Sequence, residues 1–218
     1  VIDSGVTSTT SASDAKYLRF LNATLLLFGL AQAPILGLLV TLGLWTQLAT
    51  NGFALGLCLI GFLLNRYGQH LSAKILVNTV LISNTVYFAV IMGSTAAVHV
   101  WLIPMAVLGV LVFTPAERAY MISFVTLGLC GFAVLEFMYL DLEPLLRPFD
   151  TPNEARQAAQ GSTVSAILLT LILVWMMHRR FADSEVALSQ EKSQSERLLR
   201  AILPETVANE LRETGQTQ

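Results

Sequence analysis

The sequence predicts an all-α membrane protein with six transmembrane helices, the last of which extends into a cytoplasmic, coiled-coil-like linker. Apolar residues make up 54% of the 218 residues and charged residues only 13%, whereas soluble domains carry roughly 25% charged residues. The mean hydropathy is +0.63. The chain also contains six apolar runs, most of them near the ~20 helical residues that cover a ~30 Å hydrocarbon core.

The predicted elements follow one another along the chain. Residues 1–13 are rich in Ser and Thr without periodicity and are predicted to be a disordered tail. Residues 14–180 are predicted to form the transmembrane domain. Its spans are predicted at about 18–42, 50–67, 72–92, 97–113, 118–139 and 159–180. Residues 181–203 are predicted to be a cytoplasmic signalling helix, and residues 204–218 to begin a linker to a further domain that we expect after Gln218.

The basic residues predict the orientation of the spans. On one side of a six-span bundle fall Lys16, Arg19, Arg66, Lys74, Arg118, Arg179 and Arg180. The loops on the other side carry only Arg147 and Arg156. Because cytoplasmic loops carry the excess of Lys and Arg, both termini are predicted to be cytoplasmic. The protein would be a multi-pass protein of the plasma membrane, in bacteria the inner membrane.

Small residues recur at helical spacing on the first two spans. Gly29, Ala33 and Gly37 form a ridge on the first span, and Gly52 and Gly56 form another on the second. Ridges of this kind let helix backbones approach closely in a membrane. The simpler interpretation is packing between helices of one chain, and the alternative is the interface of a dimer.

Polar residues inside the third span indicate contacts between helices. Asn78, Asn84 and Tyr87 are predicted to hydrogen-bond to neighbouring helices, since polar side chains in a membrane need partners. A translocation path is the alternative. A transporter would be expected to show internal repeats and broken helices, and no convincing repeat is apparent.

Several classes of function are excluded by what the sequence lacks. The three histidines, His70, His99 and His178, match no metalloprotease, catalytic-triad or phosphate-loop pattern, so no catalytic residue is predicted. The two cysteines, Cys58 and Cys130, lie in apolar runs and are predicted to be buried thiols. The net charge of −2 and the absence of a basic face argue against a nucleic-acid partner.

One pair of residues is predicted to form a site at the outer face. Glu136 lies near the outer end of the fifth span, His99 begins the fourth span from the same side, and Asp141 and Glu143 follow just beyond. An acid so close to hydrocarbon is unfavourable unless it is paired, solvated or protonated. A structural hydrogen bond or a water-filled vestibule is the simpler interpretation. The alternative is a site for the polar head of a small ligand or for a metal ion, for which imidazole plus carboxylate suits Zn²⁺ better than Mg²⁺.

The polar stretch after the last span has a helical pattern interrupted by proline. Leu198, Leu199, Ile202 and Leu203 form an apolar stripe, Pro204 breaks it, and Val207 and Leu211 continue in a second short stripe. The heptad phase from Phe181 through Leu188 and Ser195 to Ile202 favours a parallel two-stranded coiled coil. A single amphipathic helix lying on its own bundle is the alternative.

The same stretch resembles a known protein family. The residues from Ser195 to Leu211 read Ser-Glu-x-Leu-Leu-x-x-Ile-Leu-Pro-x-x-Val-Ala-x-x-Leu, which is similar to the linker before the catalytic domain of class III adenylyl and guanylyl cyclases. The segments 64–68 and 135–137 look similar to the mycobacterial-type membrane adenylyl cyclases. The resemblance implies a homodimer whose catalytic domain, beyond Gln218, makes cyclic AMP from ATP with Mg²⁺ or Mn²⁺. No cofactor is expected in the chain itself.

The sequence is therefore interpreted as the membrane anchor and receptor module of a class III adenylate cyclase. Its expected partners are a second copy of the chain, membrane lipid, and a small ligand or cation at the outer face. Two alternatives stay open: the membrane sensor module of another output protein, such as a histidine kinase, and a small transporter.

Overall fold

The protein is described by a computed structural model over residues 2–6, 12–41, 43–93, 96–138 and 151–202. In these residues helices are the only regular secondary structure, which confirms the predicted all-helical fold class. The α-helices are α1 Ala12–Thr41, α2 Trp45–Arg66, α3 His70–Met92, α4 Leu102–Val112, α5 Arg118–Met138 and α6 Pro152–Ile202. Short 3-10 turns, Val98–Trp101 and Pro115–Glu117, precede α4 and α5.

Four helices in the described part of the chain are long and apolar enough to cross a membrane. They are Trp45–Arg66, His70–Met92, Pro115–Phe137 and Pro152–Arg179, and a shorter apolar helix covers Val98–Val112. This finding is consistent with a multi-pass membrane protein. The predicted count of six spans would also require α1 and the shorter helix to cross, and it stays a prediction, as do the orientation and the kind of membrane.

The distribution of side chains on α2 is the reverse of that in a water-soluble protein. Its buried positions recur at helical spacing and carry only polar or small residues: Gln47, Asn51, Ala54, Cys58, Gly61 and Asn65. Its large apolar residues point outward, with Phe53 69% and Leu59 60% exposed. In water such a surface would be unfavourable, whereas lipid tails solvate it and the polar groups find partners inside.

The helices of the bundle pack in two closely associated pairs. α2 packs against α3 and α4 packs against α5; α3 also contacts α4 and α5, and α1 contacts α2 and α4. The fully buried core includes Leu21 on α1, Val77 on α3 and Leu102 on α4. Phe113 follows α4 and stacks on Phe124 of α5 with ring centroids 5.5 Å apart. This ring pair fixes the tight turn between α4 and α5.

Close approach between helices depends on glycines other than those in the predicted ridges. A Cβ atom on Gly61 would lie 2.6 Å from Val77 Cγ2, and one on Gly128 would lie 3.1 Å from Ala106 Cβ. These two glycines therefore allow α2 to approach α3 and α5 to approach α4. Their significance was not recognised from the sequence, because neither belongs to a repeating small-residue pattern.

Among the described residues, no neighbouring element packs closely on the predicted ridges. No atom lies within 4 Å of a Cβ built on Gly29, Gly37, Gly52 or Gly56, and Ala33 is exposed. In the described residues α1 and α2 meet their neighbours through other faces, and packing of the ridges between helices of one chain stays a prediction. The alternative interpretation, a dimer interface, stays a prediction.

The chain divides into two compact units, Val1–Leu173 and Val174–Gln218. The boundary lies inside α6, which begins with Pro152 in its first turn and with the Thr151 hydroxyl accepting a hydrogen bond from the Glu154 N–H at 3.3 Å. In the second unit α6 continues to Ile202. The guanidinium of Arg179 lies 4.4 Å from the centroid of the Trp175 ring. The predicted signalling helix is thus helical as far as it is described, and its coiled-coil pairing stays a prediction.

Part of the expected disordered tail forms a turn. The Asn22 amide donates to the carbonyl oxygens of Ile2 and Ser4 at 2.9 and 2.8 Å. The Arg19 side chain pairs with Asp3 at 2.7 Å. Residues 2–6 are therefore attached to α1, which differs from the expected disorder. Residues 7–11 lie outside the described part of the chain.

Candidate functional site

The two residues of the predicted outer site are in direct contact. His99 Nε2 lies 2.6 Å from Glu136 Oε2. His99 is buried, whereas the Glu136 side chain is 37% exposed. The His99 ring stacks on Phe132, one turn before Glu136 on α5, with centroids 5.9 Å apart. The carboxylate is thus held on one side by the imidazole and remains accessible on the other.

The backbone between α3 and α4 positions His99. Gly93 and Ala97 both adopt left-handed conformations, with φ of 69° and 51°, and such a conformation is uncommon for a residue other than glycine. The 3-10 turn that follows carries His99 onto α5. Leu102 is fully buried, and its Cδ1 lies 3.5 Å from a Cβ built on Gly131 of α5. An alanine at 131 would make an ordinary van der Waals contact with the Leu102 side chain beside this turn.

The His99–Glu136 pair provides two metal-ligand donors. Zinc sites use three or four protein ligands, and in the part of the chain that is described no group of three or more His, Cys, Asp or Glu could hold a metal ion. Asp141 and Glu143, which the sequence places nearby, lie outside the described residues. In this geometry the imidazole and the carboxylate are hydrogen-bond partners. This contact lowers the free-energy cost of placing an acid beside hydrocarbon. The structure thus brings the predicted residues together, and binding of a metal or ligand stays a prediction.

An ion pair lies at the other end of α5. Lys74 Nζ lies 2.7 Å from Glu117 Oε2, and the two side chains are only 3% and 19% exposed. The same Glu117 oxygen accepts a hydrogen bond from the Thr114 N–H at 2.8 Å, and together the two residues form a capping box around the 3-10 turn. Lys74 also lies 5.7 Å from the centroid of the Tyr17 ring. This pair connects α1, α3 and the start of α5.

Sequence reasoning used Lys74 only as a marker of orientation. The capping box could have been found from the pattern Thr114-Pro-Ala-Glu117, since Ser or Thr followed three residues later by Glu is its signature. The partner of Lys74 could not have been found in this way, because 43 residues separate it from Glu117.

A network of amides and an imidazole joins α1, α2 and the start of α3. The Asn65 amide donates to Asn22 Oδ1 at 2.8 Å, and Asn65 Oδ1 lies 2.7 Å from His70 Nδ1. Both asparagines are fully buried. We call these three residues, Asn22, Asn65 and His70, the amide cluster. It was not predicted, since none of the three was assigned a contact between helices.

Of the three residues on α3 that were predicted to hydrogen-bond to neighbouring helices, Asn84 is confirmed, Asn78 is not, and Tyr87 stays a prediction. Asn84 donates to Asn51 Oδ1 on α2 at 3.2 Å. Asn78 instead donates to the carbonyl oxygen of Lys74, one turn earlier on its own helix, at 2.9 Å. Asn84 therefore connects two helices, while the expectation for Asn78 was wrong because the neighbouring backbone carbonyl satisfies its amide.

The predicted linker residues are only partly described. Leu198 lies on α6 and is 58% exposed; Leu199 and Ile202 also belong to this helix. Leu203, Pro204, Val207 and Leu211 lie outside the described residues. The predicted break at Pro204 is therefore still a prediction.

Comparison of the chain with models of known protein families, with curated proteins and with solved structures gave no match.

Proposed function

We propose that the chain is the membrane module of a class III nucleotide cyclase. In this proposal six spans form a homodimer in a plasma membrane with both termini in the cytoplasm, and α6 transmits changes in the bundle to a catalytic domain that makes cyclic AMP from ATP with Mg²⁺ or Mn²⁺. The observation that carries the proposal is the continuity of α6, which passes from the apolar Pro152–Arg179 into a polar segment that ends in the linker motif.

The length of α6 supports a role beyond crossing the membrane. Its 51 residues correspond to about 77 Å of helix, whereas a span needs about 20 residues. The polar part after Arg179 includes Glu185, Glu191 and Lys192 and has few apolar residues. Most of the stability of a helix in a protein comes from packing of an apolar face against a neighbour and not from helix propensity. A parallel partner helix from a second copy would stabilise this segment.

Helix α5 provides a route by which an outer signal could reach the inner end of the bundle. The His99–Glu136 pair lies at one end of the helix, and the Lys74–Glu117 pair lies just before the other, about 28 Å away along the axis. A ligand or cation that displaces His99 from Glu136 would change the contacts that fix α5 at its outer end. Because a helix moves as a rigid element, the Lys74–Glu117 contact would respond.

The proposal is tested by changing the phase of α6. The chain through Leu211 is joined to a class III catalytic domain, and cyclic AMP formation from ATP and Mn²⁺ is measured in membranes. Insertion of one alanine after Lys192 rotates everything beyond it by about 100°, and we expect basal activity to change severalfold. Insertion of seven residues at the same point restores the heptad phase and should leave activity near the wild-type value. Equal effects of the two insertions would contradict the proposal.

The dimer is tested by crosslinking in the polar part of α6. With Cys58 and Cys130 replaced by alanine, cysteines at Leu188 or Ile202 should crosslink two copies under mild oxidation, because both follow the heptad phase. A cysteine at Gln190, on the opposite face, is the matched control and should crosslink weakly. Monomeric mass together with no crosslink at either heptad position would contradict the dimer.

Two alternative functions, a histidine-kinase sensor and a small transporter, can be distinguished from a cyclase module by experiment. A histidine-kinase sensor would share the helix continuity of α6 but would be followed by a phospho-acceptor helix in place of a cyclase strand. A small transporter is favoured by the polar residues on the buried face of α2, including Gln47 and Asn51. Solute flux in proteoliposomes that stops when Asn51 is replaced by leucine would support the transporter.

A further inference from the structure

The end of the bundle where α2 meets α3 holds a short peptide segment of the chain. The Asn22 amide uses both of its N–H groups on this segment, donating to the carbonyl oxygens of Ile2 and Ser4. Its own Oδ1 accepts from Asn65, which in turn contacts His70. The amide cluster therefore recognises the segment by its backbone.

The cluster is selective for glycine at one position of the bound peptide. Gly5 has φ of +82°, a conformation that other residues rarely adopt. A Cβ on Gly5 would overlap the carbonyl oxygen of Asn65 and would lie 3.3 Å from His70 Cε1. Two independent restrictions, backbone conformation and space, thus exclude any side chain here. Arg19 adds a preference for an acidic residue, since it pairs with Asp3 at 2.7 Å.

The segment can leave without opening the core. Ile2 is 49% exposed, and the buried hydrophobic core of the described residues begins only at Ala15. The ion pair between Asp3 and Arg19 is exposed on both sides, so it can break without exposing buried surface. The segment is held by backbone carbonyls at a polar end of the bundle, where water can replace them.

We propose that the amide cluster is a binding site for a short, glycine-containing acidic peptide, and that Ile2–Val6 is its exchangeable occupant. The ligand class follows from the contacts: two backbone carbonyls that accept from Asn22, a glycine against Asn65 and His70, and a carboxylate beside Arg19. The site works independently of the output to which the membrane module is coupled, so it does not rest on the proposed cyclase function.

The test uses the full chain in lipid nanodiscs, with Cys58 and Cys130 replaced by alanine and a nitroxide label on a cysteine at Ile2. The electron paramagnetic resonance spectrum should show that the label is immobilised. A synthetic peptide covering residues 1–10 in large excess should convert it to the mobile form, whereas the same peptide with G5V should have no effect. Failure of the wild-type peptide to release the label would overturn the proposal.

Two variants of the chain give an independent test. Gly5→Val should release the label, and a fluorescent peptide of residues 1–10 should then bind that chain at a lower concentration than it binds the wild type. Gly43→Val is the matched control, because Gly43 also has a positive φ, +68°, with no atom within 4 Å of its Cβ position, and it precedes the end of α2 opposite to Asn65, so the label should stay immobilised.

Asp3→Lys changes only an exposed side chain outside the bundle. This variant should increase the mobile fraction of the nitroxide label, and it can be measured even if the Gly5 variant folds poorly. An immobilised label in both the Gly5 and Asp3 variants would overturn the proposal.

Discussion

The Lys74–Glu117 ion pair shows how a single contact can hold several elements together. Lys74 is almost completely buried, so its ammonium group depends on Glu117 in place of solvent. Breaking a buried pair by removing one member is much more damaging than replacing both, because the remaining charge is left uncompensated.

We therefore predict that Lys74→Met destabilises the protein by about 3–5 kcal/mol. The double variant Lys74→Met/Glu117→Leu should recover part of this loss, although the Glu117 capping interaction with Thr114 is lost as well. Arg19→Met, which removes the exposed pair with Asp3, is the control and should change stability by less than about 1 kcal/mol. Unfolding in denaturant with a fixed lipid background measures all three. Equal losses for Lys74→Met and Arg19→Met would contradict the buried role of Lys74.

A buried amide provides a second prediction at this scale. Gln32 Oε1 is buried and has no hydrogen-bond partner among the described residues, a state that is unfavourable by about 1–3 kcal/mol. Gln32→Met keeps a similar volume and should raise the midpoint of thermal unfolding. Asn51→Leu is the contrasting variant, because it removes the bond from Asn84, and it should lower the midpoint. A lower midpoint for Gln32→Met would show that a water or another group satisfies this oxygen.

The outer pair makes a third prediction, which concerns metal binding. If His99 and Glu136 take a cation, Zn²⁺ or Mn²⁺ should raise the unfolding midpoint of the wild type, since a ligand that binds only the folded state stabilises it. Glu136→Gln and His99→Ala should each abolish the shift. A shift that survives both substitutions would place the metal elsewhere. No shift with any metal would leave the pair as a structural contact or part of a lipid pocket.

At the scale of elements, two glycines on α2 differ in what surrounds them: Gly61 packs against α3, whereas Gly56 faces open space. Gly61→Ala places a Cβ against Val77 and should destabilise the chain by about 1–3 kcal/mol through overpacking. Gly56→Ala meets open space and should be neutral or stabilising by up to about 1 kcal/mol, because alanine favours the helix. Thermal unfolding of detergent-solubilised monomer makes the comparison. If Gly56→Ala also weakens the dimer, the ridge on α2 belongs to the interface between copies.

The starts of helices were partly visible in the sequence. Pro115 and Glu117 after Thr114 form a capping box, and Thr151 before Pro152 caps α6. Both signals are local, since they involve residues no more than three positions apart. The polar turn between α2 and α3 is similarly defined by Gly68, whose positive φ ends α2.

At the scale of the whole molecule, the orientation of the bundle can be checked directly. Thr46 lies at the start of α2 and Gln69 just before α3, and both are exposed. If both termini are cytoplasmic, a cysteine at Thr46 should react with a membrane-impermeant maleimide added outside cells. A cysteine at Gln69 should react only after permeabilisation, and it serves as the matched control. The reverse pattern would invert the predicted topology.

The sequence by itself determined the helical fold class and the apolar segments, because length, composition and hydropathy are local properties of the chain. The predicted spans at 72–92 and 118–139, for example, lie close to α3 His70–Met92 and α5 Arg118–Met138. It also predicted that His99 and Glu136 share a level, since helix length along a span fixes depth.

Only the tertiary structure decided which faces of the helices meet. In a membrane a ridge of small residues can face another helix of the chain, a second copy or lipid, so its spacing alone does not reveal how the helix is rotated about its axis. For this reason the repeating ridge through Gly52 and Gly56 proved to be exposed, while Gly61 and Gly128 made the close contacts. The same rotation brings Lys74 to Glu117 across 43 residues, a pairing that depends on the packing of α3 against the start of α5 and on no local pattern.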